Sequence, residues 1–168
     1  WRVSAFNGQH AELLDVPERF ARFEEGLRII HHLLHEDAPL DFEGVYYRLR
    51  EAVLLPRPQR PGGPPILIGG NGPQRTLPLA ARYADEWNAV YVNPARFAEL
   101  NARLDGLLVA AGRRPGAVRR SLMAGCIFGR DEAELAGKLA ERNRTAAEMH
   151  ERGVAAGTSQ QIRDQLDN

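Results

Sequence analysis

The sequence is poor in cysteine, has no excess of charge of either sign and contains no long apolar run. Cys126 is the only cysteine among 168 residues, so an internal disulfide is excluded, which fits a reducing cytoplasm. Twenty-two Lys and Arg balance 22 Asp and Glu, so the chain lacks the basic field with which proteins hold nucleic acid. No apolar run approaches the roughly 18 residues that a membrane-spanning helix needs. We therefore expect a cytoplasmic protein that binds neither nucleic acid nor membrane.

What remains is the composition of an ordinary globular protein. Hydrophobic residues make up 43% of the chain and charged residues 26%, which is enough apolar material for one domain with a core.

The first third of the chain predicts a helix followed by an irregular arm. Five apolar residues recur at intervals of three and four, and Pro17 suits the first turn of a helix over residues 17–36. These residues are Phe20, Phe23, Leu27, Ile30 and Leu34. Residues 37–63 then read as an insertion arm, with a small hairpin near Gly44 and a connector rich in proline.

Residues 64–168 alternate between strand and helix patterns. The predicted strands are residues 66–68, 87–92 and 121–128, and the predicted helices are residues 76–85, 97–111, 131–151 and 159–166. The three-residue run 66–68 is typical of a strand buried on both faces, and Gly112 is expected to close the second helix. Alternation of this kind predicts an α/β fold with parallel strands and crossover helices.

A glycine-rich turn follows the first of these strands and is the candidate ligand site. Glycines let the backbone approach a ligand closely, and the N-terminus of the next helix attracts anions. The residues that form this candidate phosphate site are Gly69, Gly70, Asn71, Gly72, Arg75 and Thr76. The third glycine of a dinucleotide fingerprint and the lysine of a Walker loop are both missing. The alternative is a tight turn without a ligand, and Pro78 predicts that the helix begins late or bends.

Other reactive side chains are better explained by structure. His31 and His35 have the spacing of two metal ligands on one helix face, but no third ligand follows, so we predict no metal site. Trp87 fits a core position as well as a ligand contact. Cys126 lies in an apolar strand pattern and is expected to be buried and inert.

Several segments, taken in order, resemble the bacterial luciferase-like monooxygenase superfamily, in its flavin- and deazaflavin-dependent branch. The similar segments are Trp1, PERFARFEE (17–25), FEGVYY (42–47), PILIGGNG (65–72), AARYADEWN (80–88) and GTSQQI (157–162). The sequence departs from the family pattern at Val3, Ser4 and Ala5 and at Glu86, where the family commonly has glycine.

The resemblance implies a partial TIM (β/α)₈ barrel, because that fold requires a longer chain. The whole of residues 1–168 would be the C-terminal half of one barrel domain, holding three barrel strands. It implies an oxidoreductase that transfers hydride or activates oxygen with FMN or the deazaflavin coenzyme (F-420), acts on a small-molecule substrate and forms a homodimer. The glycine turn would hold the coenzyme phosphate, and the catalytic residues stay unknown because the family carries them on earlier strands. The alternative is a non-catalytic or degenerate fragment that binds a phosphate-bearing ligand.

Overall fold

The computed structural model describes residues 15–167, so Trp1, Val3, Ser4 and Ala5 lie outside the described part. The chain divides into two compact units, residues 1–64 and residues 65–168. The helices and strands are α1 (Val16–His35), β1 (Leu40–Glu43), β2 (Arg48–Ala52), β3 (Leu67–Gly69), α2 (Thr76–Tyr83), β4 (Glu86–Val90), α3 (Pro94–Ala110), β5 (Arg119–Met123), β6 (Gly125–Phe128), α4 (Glu132–Glu141), α5 (Ala146–Glu151), β7 (Val154–Gly157) and α6 (Ser159–Leu166).

The predicted first helix is confirmed as α1, but its buried face is only partly the predicted one. Asp15 caps the helix, because its carboxylate accepts the N–H of Glu18 at 2.8 Å while the Glu18 side chain reaches back to the N–H of Asp15. Leu27 is buried as predicted. Phe23, in contrast, is 43% exposed. In the described part of this unit, α1 is covered by the small β1–β2 hairpin and by the connector, from which Arg57 donates to the carbonyl of Leu33.

The predicted hairpin is confirmed by β1 and β2, which pair antiparallel. Glu25 of α1 fastens the turn between them, because its carboxylate accepts three consecutive backbone N–H groups. The donors are Val45, Tyr46 and Tyr47, at 2.8, 3.0 and 3.2 Å. Partial burial of the carboxyl group opposes ionisation, but the three hydrogen bonds outweigh it and hold the pKa of Glu25 below its ordinary value. The hairpin is therefore docked on α1 by Glu25, and Arg22 of the same helix adds a hydrogen bond from its Nε to the hydroxyl of Tyr47 at 3.1 Å.

The second unit has the parallel strands that the sequence predicts. Strands β3, β4 and β5 lie side by side in that order, and β6 pairs parallel with β7. Helices α2 and α3 connect parallel neighbours, as crossover helices do. The predicted helix 97–111 begins earlier, at Pro94, because Asn93 accepts the N–H of Arg96 and caps it. Gly112, with φ of 73°, ends α3 as predicted.

Two interrupted elements and one additional strand in this unit differ from the sequence prediction. The predicted strand 121–128 is interrupted at Ala124, and its halves pair with different neighbours, β5 with β4 and β6 with β7. The predicted helix 131–151 is broken by a turn at Asn143, whose φ is 50°. Strand β7 was not predicted, because the sequence VAAG has little β-branched character. If β5 and β6 are counted as the two halves of one predicted strand, the described residues of this unit hold four strands, and the prediction of three was wrong.

The core of the second unit lies on one face of the β3–β4–β5 sheet. Buried side chains of the strands and of the helices α2 and α3 meet there: Ile68, Leu77, Trp87, Ala89, Leu100, Leu104 and Leu108. Leu67, on the other face of β3, is 55% exposed. The prediction that this strand is buried on both faces is therefore wrong for the described residues, since α2 and α3 cover one face only.

A smaller core joins β6 and β7 to the helices that follow them. It consists of Ile127, Leu135, Leu139 and Ala156, with Ala146, Met149 and Val154 packed against it. Cys126 is exposed, although we expected a buried thiol. The reason is the alternation of strand side chains, which turns Ile127 into this core and its neighbour Cys126 away from it.

The start of α4 carries a carboxylate whose titration should affect stability. Hydrogen bonds from Lys138 and Arg130, the latter through its side chain and its backbone N–H, lower the pKa of Glu134 from 4.5 to about 2. A lowered pKa stabilises the fold above pH 4.5, and this contribution is lost as the pH falls towards 2. We therefore expect Glu134→Gln to lower the melting temperature at neutral pH.

The same comparison at low pH tests the cause. Melting curves of the two proteins should converge as the pH approaches about 2, because the native carboxylate is then protonated. Glu141→Gln, at an exposed position of the same helix, is the control. A difference at Glu134 that persists unchanged at low pH contradicts the assignment.

Candidate functional site

The glycine turn lies at the carboxyl end of β3, where parallel α/β sheets bind ligands. Gly69 is the last residue of β3. Gly70 continues the pairing, because its N–H donates to the carbonyl of Asn88 at 2.9 Å. Its φ is 120°, which a residue with a side chain rarely adopts. The chain therefore leaves the sheet at a position that requires glycine.

Two side chains fix this turn to β4. The side-chain amide of Asn71 donates to the carbonyl of Val90 at 2.7 Å and accepts the N–H of the same residue at 2.9 Å. The indole Nε1 of Trp87 donates to the carbonyl of Gly70 at 2.8 Å. The amide of Asn71 therefore bonds to the neighbouring strand, and its contribution to the turn is positional.

The turn closes against the first residue of α2. Thr76 is buried, at 7% exposure, and begins the helix. A Cβ added at Gly72 would lie 2.8 Å from Thr76 Oγ1, and one added at Gly70 would lie 3.4 Å from Thr76 Cγ2. The turn thus packs closely against Thr76, and a side chain at Gly72 would clash with the threonine hydroxyl.

Pro78 does not delay or interrupt α2, and that prediction is wrong. The helix begins at Thr76, so Pro78 is its third residue. The first four N–H groups of a helix have no acceptor within it, so a proline there removes no helical hydrogen bond.

Two arginines, Arg75 and Arg103, are associated with the end of the turn. Arg75 is exposed and stands at the N-cap position of α2. Arg103 of α3 donates from Nε to the carbonyl of Pro73 at 2.8 Å and so supports the end of the turn. The sequence did not indicate Arg103, because its partner lies 30 residues away and no local pattern encodes the contact.

The resulting arrangement suits an oxyanion. Thr76 contributes a hydroxyl group and an N–H at the first position of α2, and Arg75 stands beside it at the N-cap position. The positive end of the helix dipole favours a negative charge at the same place. Gly70 and Gly72 let the backbone of the turn lie against the start of α2, and a glycine-rich turn at a helix N-terminus is an arrangement that fits a phosphate group.

A polar cluster lies on the β4 and β5 strands, and the sequence reasoning missed most of it. Glu86 accepts the hydroxyl of Ser121 at 2.6 Å and the Nε of Arg119 at 2.8 Å. The bond from Ser121 and then that from Arg119 hold the pKa of Glu86 below its ordinary value. Asn88 donates to Ser121 at 2.9 Å. In the sequence, the only sign of this cluster was Glu86, which departs from the family pattern.

The remaining candidate residues have structural roles. Trp87 is fully buried and stacks on Phe97, with 5.7 Å between the ring centroids, so it is a core tryptophan. The rings of His31 and His35 stack on each other at 4.3 Å. Within residues 15–167 no group of three or more metal-ligating side chains comes together. No helix in that part of the chain is long and apolar enough to cross a membrane.

Comparison with known proteins places this fold and this turn in one family. The family described as luciferase-like monooxygenase matches residues 2–168. The F420-dependent glucose-6-phosphate dehydrogenase of Nakamurella multipartita is 33% identical over 132 residues, which are 79% of this chain and 31% of that protein.

Two solved structures share the fold. An F420-dependent secondary alcohol dehydrogenase, solved with an F420-acetone adduct, has a TM-score of 0.77 at 17% identity over 93% of this chain and 54% of its own. The monooxygenase RslO1 from Streptomyces bottropensis has a TM-score of 0.70 at 25% identity over 92% of this chain and 51% of its own. This chain thus spans about half the length of these two structures and 31% of the length of the curated relative. With a family match over residues 2–168, the chain belongs to the luciferase-like monooxygenase family.

Proposed function

We propose that the chain is part of an oxidoreductase that uses a reduced deazaflavin or flavin coenzyme, and that the glycine turn holds the coenzyme phosphate. The observation that carries this proposal is the close approach of the turn backbone to Thr76 at the N-terminus of α2, which Gly70 and Gly72 permit because they lack side chains. Relatives whose names specify F420 support the deazaflavin, and a riboflavin lyase solved with modified FMN supports the flavin.

In this proposal the residues of the chain bind and orient. The hydroxyl and N–H of Thr76 and the guanidinium of Arg75 bind the phosphate. Asn71 and Trp87 keep the turn rigid through their bonds to β4 and to Gly70, so the phosphate fixes one end of the coenzyme. The bound coenzyme supplies the hydride transfer or the oxygen activation.

The proposal includes a barrel to which this chain contributes about half. Support comes from the parallel strands β3, β4 and β5 and from the coverage of the solved relatives, 54% and 51% of their chains. The exposed Leu67 and Met123 lie on strands of this sheet, as expected if further strands complete the structure. We expect the isolated 168-residue chain to give no turnover, because the family's catalytic residues lie on the earlier strands.

Titration of the chain with FMN and with the deazaflavin coenzyme tests the site. Gly72→Val places a side chain against Thr76 Oγ1 and should weaken coenzyme binding by about tenfold or more, because it displaces the hydroxyl and blocks the phosphate. Gly106→Ala, in α3, is the control, since a Cβ there has no heavy atom within 4 Å. Equal coenzyme affinity in the Gly72→Val variant and the parent chain would refute the proposed site.

A second candidate function is binding of a phosphate-bearing ligand without catalysis. The observation that favours it is that the glycine turn at the N-terminus of α2 suits any phosphate group, whether or not a redox coenzyme carries it. Both candidates predict that Gly72→Val weakens binding, so binding does not distinguish them. Turnover does: when the chain is mixed with the separately produced other half of a relative's barrel, only an oxidoreductase should turn over the bound reduced coenzyme.

A further inference from the structure

A row of polar residues lies on the open face of the β3–β4–β5 sheet, beside the glycine turn. Trp87 of β4 packs into the core below α3, so the alternation of strand side chains turns Glu86 and Asn88 to the opposite face. In register, Asn88 lies between Gly69 of β3 and Ser121 of β5. The polar ladder is the name used below for Gly69, Asn88, Ser121 and Glu86.

The polar ladder adjoins the glycine turn directly. The backbone carbonyl of Asn88 accepts the N–H of Gly70 at 2.9 Å. Among the described residues, and apart from its chain neighbours, a Cβ added at Gly69 would have one heavy atom within 4 Å, the carbonyl oxygen of Asn88 at 3.8 Å. Gly69 therefore leaves the sheet face open beside Asn88. A ligand whose phosphate lies at the turn can extend its adjoining atoms over this face.

The hydrogen bonds of the polar ladder run in one direction. The side chain of Glu86 is 14% exposed, and it is ionised at neutral pH because the bonds from Ser121 and then Arg119 hold its pKa below the ordinary value. A carboxylate only accepts hydrogen bonds, so the hydroxyl of Ser121 donates to Glu86 Oε1, at 2.6 Å. Ser121 Oγ then has only lone pairs left, and Asn88 Nδ2 donates to them at 2.9 Å.

This direction fixes the side-chain amide of Asn88. An asparagine on a sheet face can turn its amide either way, but here Nδ2 must face Ser121. The oxygen Oδ1 therefore points away from Ser121. Within residues 15–167, Oδ1 has no hydrogen-bond donor, and it is not a buried atom. The polar ladder thus presents an acceptor and the second N–H of the amide beside the open position at Gly69.

We propose that Asn88 binds a hydroxyl group of the ribityl chain of the coenzyme, and that Ser121 and Glu86 are positioning residues for its amide. The inference rests on the proposed function, because it requires the phosphate to lie at the glycine turn. Flavins and deazaflavins both carry a ribityl chain between the ring and the phosphate, so the atoms that adjoin the phosphate bear hydroxyl groups. A hydroxyl both donates and accepts, which matches an amide that offers Oδ1 and an N–H.

Fluorescence titration of the chain with FMN, riboflavin and lumiflavin tests the inference. Riboflavin has the ribityl chain without the phosphate, and lumiflavin has a methyl group in place of the chain. Asn88→Ala should weaken the binding of FMN and riboflavin by about tenfold, because a hydrogen bond to the ligand is lost, and leave lumiflavin affinity unchanged. Gln160→Ala, at an exposed position of α6, is the control and should change none of the three affinities.

Three further variants test the positioning role and the open position. Ser121→Ala interrupts the polar ladder and frees the amide of Asn88 to rotate, so it should weaken riboflavin binding severalfold and spare lumiflavin binding. Ser121→Thr keeps the hydroxyl and should retain the affinity of the parent chain. Gly69→Ala places a methyl group over the open face, where a Cβ fits without a clash. It should weaken riboflavin binding with little effect on urea unfolding.

Any of three results overturns the inference. The first is unchanged riboflavin affinity in a folded Asn88→Ala chain. The second is a loss of lumiflavin affinity in that chain as large as the loss of riboflavin affinity, which indicates contact with the ring. The third is a Ser121→Thr chain that binds riboflavin as weakly as Ser121→Ala does. Circular dichroism of each variant shows that it is folded.

Riboflavin also separates this inference from the proposed function. Gly72→Val should weaken FMN binding and leave riboflavin binding intact, because riboflavin has no phosphate. FMN binding that depends on Gly72, together with riboflavin binding that is indifferent to Asn88, refutes the inference and leaves the proposed function in place. The opposite pattern refutes the proposed phosphate site only. A chain that binds none of the three flavins contradicts both.

Discussion

Replacement of Trp87 by alanine should destabilise the chain by about 3–5 kcal/mol, the cost of removing a large aromatic side chain from a core. The side chain is fully buried and stacks on Phe97, so its loss leaves a cavity between β4 and α3. The change also removes the hydrogen bond to the carbonyl of Gly70, so the glycine turn loosens together with the core.

Urea unfolding of three variants separates the two effects. Trp87→Phe retains an aromatic ring but lacks the Nε1 donor, so it should cost less than Trp87→Ala while still weakening coenzyme binding. Leu166→Ala, at a position that is 71% exposed, should change the free energy of unfolding by less than about 0.5 kcal/mol. A Trp87→Ala chain that unfolds within about 1 kcal/mol of the parent contradicts the role of Trp87 in the core.

Replacement of Asn71 by alanine should cost about 2–4 kcal/mol of stability and also weaken coenzyme binding. The side-chain amide satisfies both the N–H and the carbonyl of Val90. Each partly buried backbone group that loses its partner costs roughly 1–3 kcal/mol. Without the two hydrogen bonds of the Asn71 amide, the backbone of Gly70 and Gly72 is free to move away from the geometry that a phosphate requires.

Asn71→Asp is the matched variant. A carboxylate still accepts the N–H of Val90 but repels its carbonyl oxygen, and it adds a negative charge near the proposed phosphate. We therefore expect the aspartate to recover part of the stability and none of the coenzyme affinity, measured by urea unfolding and by coenzyme titration. Full recovery of affinity with aspartate would show that the amide does not position the turn for an anion.

Comparison of the Asn71 and Trp87 variants with Gly72→Val distinguishes residues that position the turn from a residue that lies against the proposed phosphate. Gly72→Val should change coenzyme affinity more than it changes stability, because the added side chain displaces the Thr76 hydroxyl at the proposed phosphate site. Asn71 and Trp87 should change both, because they join the turn to the core.

Local sequence signals determined much of the fold. The capping residues Asp15 and Thr158 and the closing Gly112 are short-range features, and the helices they bound lie where the sequence predicts them. The hairpin after α1 and the glycine turn after β3 were likewise predictable from the sequence, because turn glycines and apolar periodicity act within a few residues. The ordered family segments carried the resemblance that the family match confirms.

Contacts between distant residues decided the rest. The break at Ala124 exists because the two halves of one strand pattern pair with different neighbours, and β7 is a strand because β6 lies beside it. Likewise, the amide of Asn71 bonds to Val90, 19 residues away, and Arg103 supports Pro73. The sequence by itself determined where a phosphate site could lie, whereas only the tertiary structure decided which side chains hold its backbone, because those hydrogen bonds form between strands and helices that meet after folding.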